Sequence, residues 1–166
     1  MKYLRYFKTI CMHKWFVFIE CCKLGIPIQG LFHDLSKFSI NEFIASAKYY
    51  NGDKDMTEEY QQAWLHHKGH NPHHWEYWVD WDSKDGSVII TRIPLKFMKE
   101  MYADIVGASK AYNKGKFDKS EPLNYFRNCC KHWIIDDDNR KWLENELRHL
   151  ANGDKDTYIK DIKNDD

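Results

Sequence analysis

Apolar residues recur at helical spacing through most of this chain. Tyr6, Ile10, His13, Val17 and Leu24 fall close to one stripe, which predicts a helix over about residues 3–24 with His13 turned inward. Gly25 and Pro27 stop it. A second helix is expected from about Ile28 to Ser36, carrying His33 and Asp34. Ser39-Ile40-Asn41-Glu42 reads as a capping box, with Ser39 as N-cap and Glu42 reaching back, and opens a third helix to about Tyr50. Asp55-Met56-Thr57-Glu58 reads as a second box, heading a helix through Trp64 to about Lys68. Gly69 and the Asn71-Pro72 step end that helix. Pro72 suits the first position of a short helical turn holding His73, His74, Trp75 and Trp78.

Residues 79–93 are the least helical part. Asp85-Gly86 is a turn signal and Val88-Ile89-Ile90-Thr91 favours extended chain, so a small hairpin or ordered loop is expected. Pro94 opens a strong helix to about Asn113, with Leu95, Met98, Met101, Ile105, Ala108 and Tyr112 as its apolar stripe and Asp104 beside it. Ser120-Glu121-Pro122 starts another, to about Trp133. Asp136-Asp137-Asp138 caps a last helix near 137–151, where acids suit the positive end of the dipole. Helices dominate, so the predicted class is all-α: one domain over 1–152 and a polar tail over 153–166.

Composition narrows the picture. The chain has 166 residues, 43% hydrophobic and 16% aromatic, enough for a core of ordinary size. Lys+Arg and Asp+Glu both number 25. A net charge of zero argues against partners recruited by bulk charge, such as duplex nucleic acid or an anionic membrane. The five cysteines, Cys11, Cys21, Cys22, Cys129 and Cys130, show no zinc-ribbon spacing, and vicinal pairs make poor disulfides. They are expected to be reduced and mostly buried, in a cytoplasmic protein. Lys8, His13, Lys14 and Glu20 interrupt the apolar residues near the start, and no stretch reaches a membrane-spanning length.

The candidate chemistry lies in the histidines. His33 and Asp34 are adjacent, a compact way to offer a divalent metal a nitrogen and an oxygen donor. His13 lies upstream, His66, His67, His70, His73 and His74 crowd nine positions, and Asp104 follows. His13, His33, Asp34 and Asp104 all approach the core side of predicted helices. A buried carboxylate without a partner is costly, and convergence on one cation would satisfy the set. His66 and His67 point about 100° apart on a helix, so one of them suits a metal and the other the substrate; His73 and His74 pose the same choice. Trp64, Trp75, Trp78 and Trp81 flank this region.

The order His13, His33-Asp34, Asp104 resembles the HD-domain superfamily of metal-dependent phosphohydrolases, helical bundles built around one or two metals. His33-Asp34-Leu35-Ser36-Lys37 fits the H-D-x-x-K form of a subset that includes cyclic-dinucleotide phosphodiesterases, though their glycine-rich segment is missing here. His66-His67-Lys68, Asn71-Pro72-His73-His74-Trp75-Glu76-Tyr77-Trp78 and Met101-Tyr102-Ala103-Asp104 resemble an uncharacterised family of bacteria and phages, over about residues 10–115. The resemblance implies one or two divalent transition metals (Mn, Fe, Co, Ni or Zn). His13, His33, Asp34 and Asp104 are expected on the first, and Asp34, His66 and His74 on the second. Lys37 and His67 are the expected catalytic residues, with His70 and His73 on the substrate side. The implied activity is hydrolysis of a nucleotide or another small phosphate ester, in a host cytoplasm if the protein is phage-encoded. An HD-type diiron oxygenase and a non-enzymatic nucleotide- or protein-binding factor are the alternatives.

Overall fold

The computed structural model describes residues 1–154 apart from 53, 56, 114 and 115. Of the expected tail only Gly153 and Asp154 are described. Among the described residues, seven α-helices and one two-stranded hairpin make the fold all-α, as the periodicity predicts. In chain order the helices are α1 (Lys2–Lys23), α2 (Pro27–Phe32), α3 (Ile40–Tyr50), α4 (Glu58–His70), α5 (Leu95–Tyr112), α6 (Glu121–Cys129) and α7 (Asp137–Asn152).

The apolar stripes of α1 and α5 pair along the centre of the molecule, the most extensive helix contact in the fold. Gly107 allows the close approach. A Cβ at that position would fall 2.6 Å from Cγ2 of Val17 and 2.9 Å from its backbone nitrogen. The main core lies on α5 and the helices behind it, around Met98, Tyr102, Val106, Phe126, Leu143 and Leu147. On the other side α3 and α4 pack on each other, and Tyr6 and Ile10 of α1 form a smaller core with Ala47 of α3.

Several boundaries differ from the sequence expectation, each for a local reason. The second helix stops at Phe32. His33 is extended and Asp34 takes the left-handed conformation, φ 54° and ψ 29°, before a 3₁₀ turn at Leu35–Phe38. The His-Asp pair therefore sits in a turn, not on a helix. Aspartate tolerates this backbone better than most residues. Ser39 does cap α3, accepting from the Glu42 backbone N–H at 3.4 Å, but the Glu42 side chain turns away to other partners. The N-cap of α4 is Thr57, which accepts from the Tyr60 N–H; Met56 of the expected box lies outside the described residues. The helix expected to reach Trp133 ends at Cys129, followed by a 3₁₀ turn at Cys130–His132. Arg140 donates to the carbonyls of Cys130 and Trp133 there, at 2.6 and 2.7 Å, and so satisfies the chain end. The hairpin pairs β1 (Val79–Trp81) with β2 (Val88–Ile90), antiparallel.

All five cysteines are free, but only Cys21 is buried: Cys11 and Cys22 are exposed, and Cys129 and Cys130 are half-buried. The expectation of mostly buried thiols fails because Cys11 and Cys22 fall on the outer side of α1. Among the described residues no helix is long and apolar enough to cross a membrane.

The α1–α5 contact is directly testable. Gly107→Ala forces the Val17 backbone outward and is expected to destabilise the protein by about 1–3 kcal/mol, as overpacking does. Denaturant unfolding monitored by circular dichroism measures it.

Candidate metal centre

Five parts of the chain bring their polar side chains to one point between α1, α4 and α5. His13 comes from α1, His33 and Asp34 from the turn after α2, His67 from α4, His73 and His74 from the turn after α4, and Glu100 and Asp104 from α5. Asp34 is at the middle and is 2% exposed. Its two oxygens face different groups. Oδ2 lies 3.2 Å from Nε2 of His33 and 3.5 Å from Nε2 of His13. Asp104 Oδ1 completes that group, 3.1 Å from His13 Nε2 and 3.4 Å from His33 Nε2. Oδ1 of Asp34 lies 3.4 Å from Nε2 of both His67 and His73, and His74 Nε2 is 3.0 Å from His67 Nε2.

These separations are those of a coordination shell. Ligands about 2.1 Å from a metal stand about 3.0 Å apart in an octahedron and about 3.4 Å apart in a tetrahedron. Two imidazole nitrogens facing each other at such distances repel unless a proton or a cation lies between them. The outer sides of the rings are tied down. His33 Nδ1 donates to Glu100 Oε1 at 2.8 Å, and His73 Nδ1 meets the same oxygen at 3.2 Å. His67 Nδ1 meets Glu42 Oε2 at 3.1 Å and Ser36 Oγ at 3.0 Å. Each contact fixes a tautomer whose free Nε2 lone pair points to Asp34, the arrangement that orients metal-ligating histidines. The second Glu100 oxygen accepts from the Gln29 amide. Both Asp34 oxygens and His73 Nε2 are buried without a hydrogen bond.

Charge points the same way. The cluster holds Asp34, Asp104, Glu100 and Glu42 against one ammonium, Lys37, whose Nζ is 2.5 Å from Asp34 Oδ2. Uncompensated buried charge of this size is expensive, and divalent cations or protonated imidazoles would offset it. Burial alone would raise the Asp34 carboxyl, but His33, Lys37 and His13 outweigh it and hold it well below the usual carboxylate range. For Asp104, burial is outweighed in the same way by His13 and His33. Burial would also raise Glu100, yet hydrogen bonds from His33 and His73 bring it down to about 2. Burial would lower His33, while Asp34, Asp104 and Glu100 lift it well above the usual histidine value. His74 moves the other way, lowered by burial and by His73 and His67.

The expected site residues divide clearly. His13, His33, Asp34, His74 and Asp104 gather as ligand-type groups. His66 does not. It is exposed on the outer side of α4, with Nδ1 2.5 Å from Glu42 Oε1, and His67 takes the inward place one helical step on. His67 therefore stands among the ligand-type groups and not apart as an acid–base residue. His73 is 2% exposed and joins the cluster on the same terms. His70 is exposed and turned to the backbone carbonyl of His66, outside the cluster. Lys37 sits where the H-D-x-x-K spacing puts it, next to Asp34. Glu42 and Glu100 escaped the sequence reading. Glu42 looked like a capping residue. Glu100 lies one turn before Asp104 on α5, and that i, i+4 carboxylate pair was the available signal.

A cavity of about 600 Å³ opens over the centre, lined by His13, Lys37, His67, His73, His74 and Asp104. Aromatic rings form much of the rest, including Trp64 and Trp75. The Trp64 ring stacks on His67 at 5.3 Å. Trp78 instead packs on the core and donates to the Pro72 carbonyl, and Trp81 is 72% exposed on the hairpin.

Fold and site define a class: an all-α protein with a buried histidine–carboxylate centre, suited to divalent metal, under an aromatic-walled cavity. The chain belongs to the family of unknown function DUF5662, which it matches over residues 2–149. No match was found among curated proteins, and none among solved structures.

The carboxylate ties carry a pH signature in chelator-treated protein. A carboxyl that ionises at about 2, against its ordinary 4.5, contributes on the order of 3 kcal/mol at neutral pH. Because the folded value is depressed, this stability is present above about 4.5 and is lost as pH falls toward 2. Glu100→Gln is expected to flatten the acid limb of a stability–pH curve over that window, measured by urea unfolding at each pH.

Proposed function

We propose that this protein is a metal-dependent phosphohydrolase of HD type, acting on a nucleotide or another small phosphate ester. The observation that carries the reading is Asp34: one buried carboxylate with an oxygen toward each of two histidine groups, beside a lysine, at the floor of a cavity. The motif order described above supports the same reading.

Asp34 would bridge two divalent ions, one held with His13, His33 and Asp104, the other with His67, His73 and His74. Such ions lower the pKa of a water to near neutral and offset the charge of phosphate oxygens. Glu100 and Glu42 would hold Nδ1 of their rings and so turn Nε2 toward the centre. Burial would lower the Lys37 ammonium, but Asp34 and Asp104 outweigh it and keep it charged. Lys37 would serve as a positive charge against a phosphate oxygen. Trp64 and Trp75 give the cavity flat apolar walls against which a nucleoside or similar body packs.

The test is a screen of phosphorylated metabolites with added Mn, Co or Fe, together with metal analysis of the purified protein. Turnover that requires metal and releases phosphate is expected. Iron-dependent consumption of oxygen without phosphate release would replace this reading with an oxygenase.

Two sets of variants follow. Asp34→Ala is expected to lose most bound metal and all hydrolysis while keeping its helical content. His67→Ala is expected to lower the metal content per chain, whereas His66→Ala leaves it unchanged, as measured by plasma mass spectrometry. Lys37→Met is expected to keep its metal but slow turnover about a hundredfold, with a smaller change in KM, as for removal of a charge-stabilising donor. Wild-type turnover in Lys37→Met would reduce Lys37 to a partner of Asp34 alone.

A further inference from the structure

The outer face of α1 is apolar where a surface helix is ordinarily polar. Leu4, Phe7 and Trp15 are 60%, 46% and 59% exposed. The neighbouring α2 and the turn after it add Leu31, Phe32 and Leu35, also about half exposed or more. The two segments form one surface. Gly30 lets the α2 backbone lie against α1: a Cβ there would fall 2.5 Å from Cβ of Cys21 and 3.3 Å from Cα of Phe18. Lys14 Nζ donates to the carbonyls of Leu31 and His33, both at 2.7 Å. The Phe7 ring meets Phe38 edge-on at 6.2 Å.

The charges indicate what this face fits. Glu20, Asp34 and Glu42, the only acids among residues 1–52, are all buried. The same stretch has seven basic residues, and four are already engaged. Lys14 is held by the two carbonyls, Lys23 by Glu20, Lys37 by Asp34 and Lys48 by Glu59. Of these seven only Lys2, Arg5 and Lys8 lack a carboxylate or carbonyl partner, and all three lie near the start of α1. An anionic bilayer calls for free cations around the apolar patch, and the middle of this face, around Trp15 and Leu31, has none. Depletion of charge with enrichment in aromatics is instead the composition of a homodimer interface. An uncharged patch also meets its own copy without like-charge repulsion, so a two-fold pairing closes. Its six apolar residues together expose on the order of 700 Å², more than the few hundred usual for a patch on a monomer and close to the roughly 800 Å² per partner of a standard interface.

We propose that this face is the interface of a two-fold homodimer in which α1 packs antiparallel to α1 of a second copy. The antiparallel crossing brings Lys2 and Arg5 of each copy toward the carbonyl end of the other's α1, where the helix dipole favours cations. It places Cys11, exposed at mid-helix, near the axis, and Cys22 far from its own mate.

The full chain is tested by sedimentation equilibrium at micromolar concentration, as wild type, Trp15→Glu and Leu31→Glu, with circular dichroism as a check of folding. A short bismaleimide cross-linker is applied to wild type, Cys11→Ser and Cys22→Ser. A wild-type dimer, monomeric Glu variants with unchanged spectra, and a cross-link that Cys11→Ser abolishes and Cys22→Ser preserves are expected. A monomeric wild type overturns the proposal, as do Glu variants that stay dimeric or a dimer whose cross-linking ignores Cys11. If the monomeric wild type binds phosphatidylcholine–phosphatidylglycerol vesicles, the face belongs to a membrane surface and the proposal also fails. Should the Glu variants unfold, the cross-linking pattern decides alone.

Discussion

A single buried carboxylate organises this molecule. Asp34 is out of contact with water, and neither of its oxygens finds a hydrogen bond of good geometry. An isolated charge in that position costs several kcal/mol. The structure meets the cost by surrounding Asp34 with one ammonium and with imidazoles drawn from four segments. The left-handed backbone at Asp34 serves the same end, because it breaks the chain between α2 and the following turn and lets the carboxylate face both histidine groups. What looks locally like an interrupted helix is the means by which one residue reaches both histidine groups.

The close contact between α1 and α5 sets the geometry of half of that centre. Val17 is one turn beyond His13, and Gly107 is three residues beyond Asp104. The near approach at Val17 and Gly107 therefore holds the two helices close just where His13 and Asp104 meet, 3.1 Å apart. Packing and site chemistry are thus coupled through one missing Cβ. The other half depends on polar ties. Glu42 from α3 and Ser36 from the 3₁₀ turn fix His67, and Asn71 donates to Ser36 Oγ and to the His67 carbonyl at 2.9 and 2.7 Å. Glu100 joins the halves, since one of its oxygens meets both His33 and His73.

The cavity above the centre is walled largely by rings and carries one fixed cation, Lys37, among its lining groups apart from histidine. That combination suits a small ligand with a flat body and few negative charges better than a long polyanion. The opposite, outer side of α1 has a different character, apolar and almost free of unpaired charge. One helix thus presents its inner face to the histidine cluster and its outer face to solvent with residues that favour burial.

Much of this was legible in the sequence. Helical periodicity located all the long helices, because a one-dimensional pattern of apolar residues is enough to define an amphipathic stripe. The inward direction of His13 and Asp104 followed from the same stripes. Pairing of Lys37 with Asp34 followed from their spacing alone. What the sequence left open was decided by tertiary contact. Adjacent histidines on a helix differ by about 100°, and only the packing of α4 on α3 determined that His67 and not His66 turns inward. His73 and His74 both reach the cluster because the chain after α4 is a turn, where the two-way choice of a helix does not apply. Glu42 and Glu100 are distant in sequence from the rings they hold, 25 and 67 residues away. Side-chain hydrogen bonds across such separations leave no periodic trace, so these two carboxylates became visible only once the chain was folded.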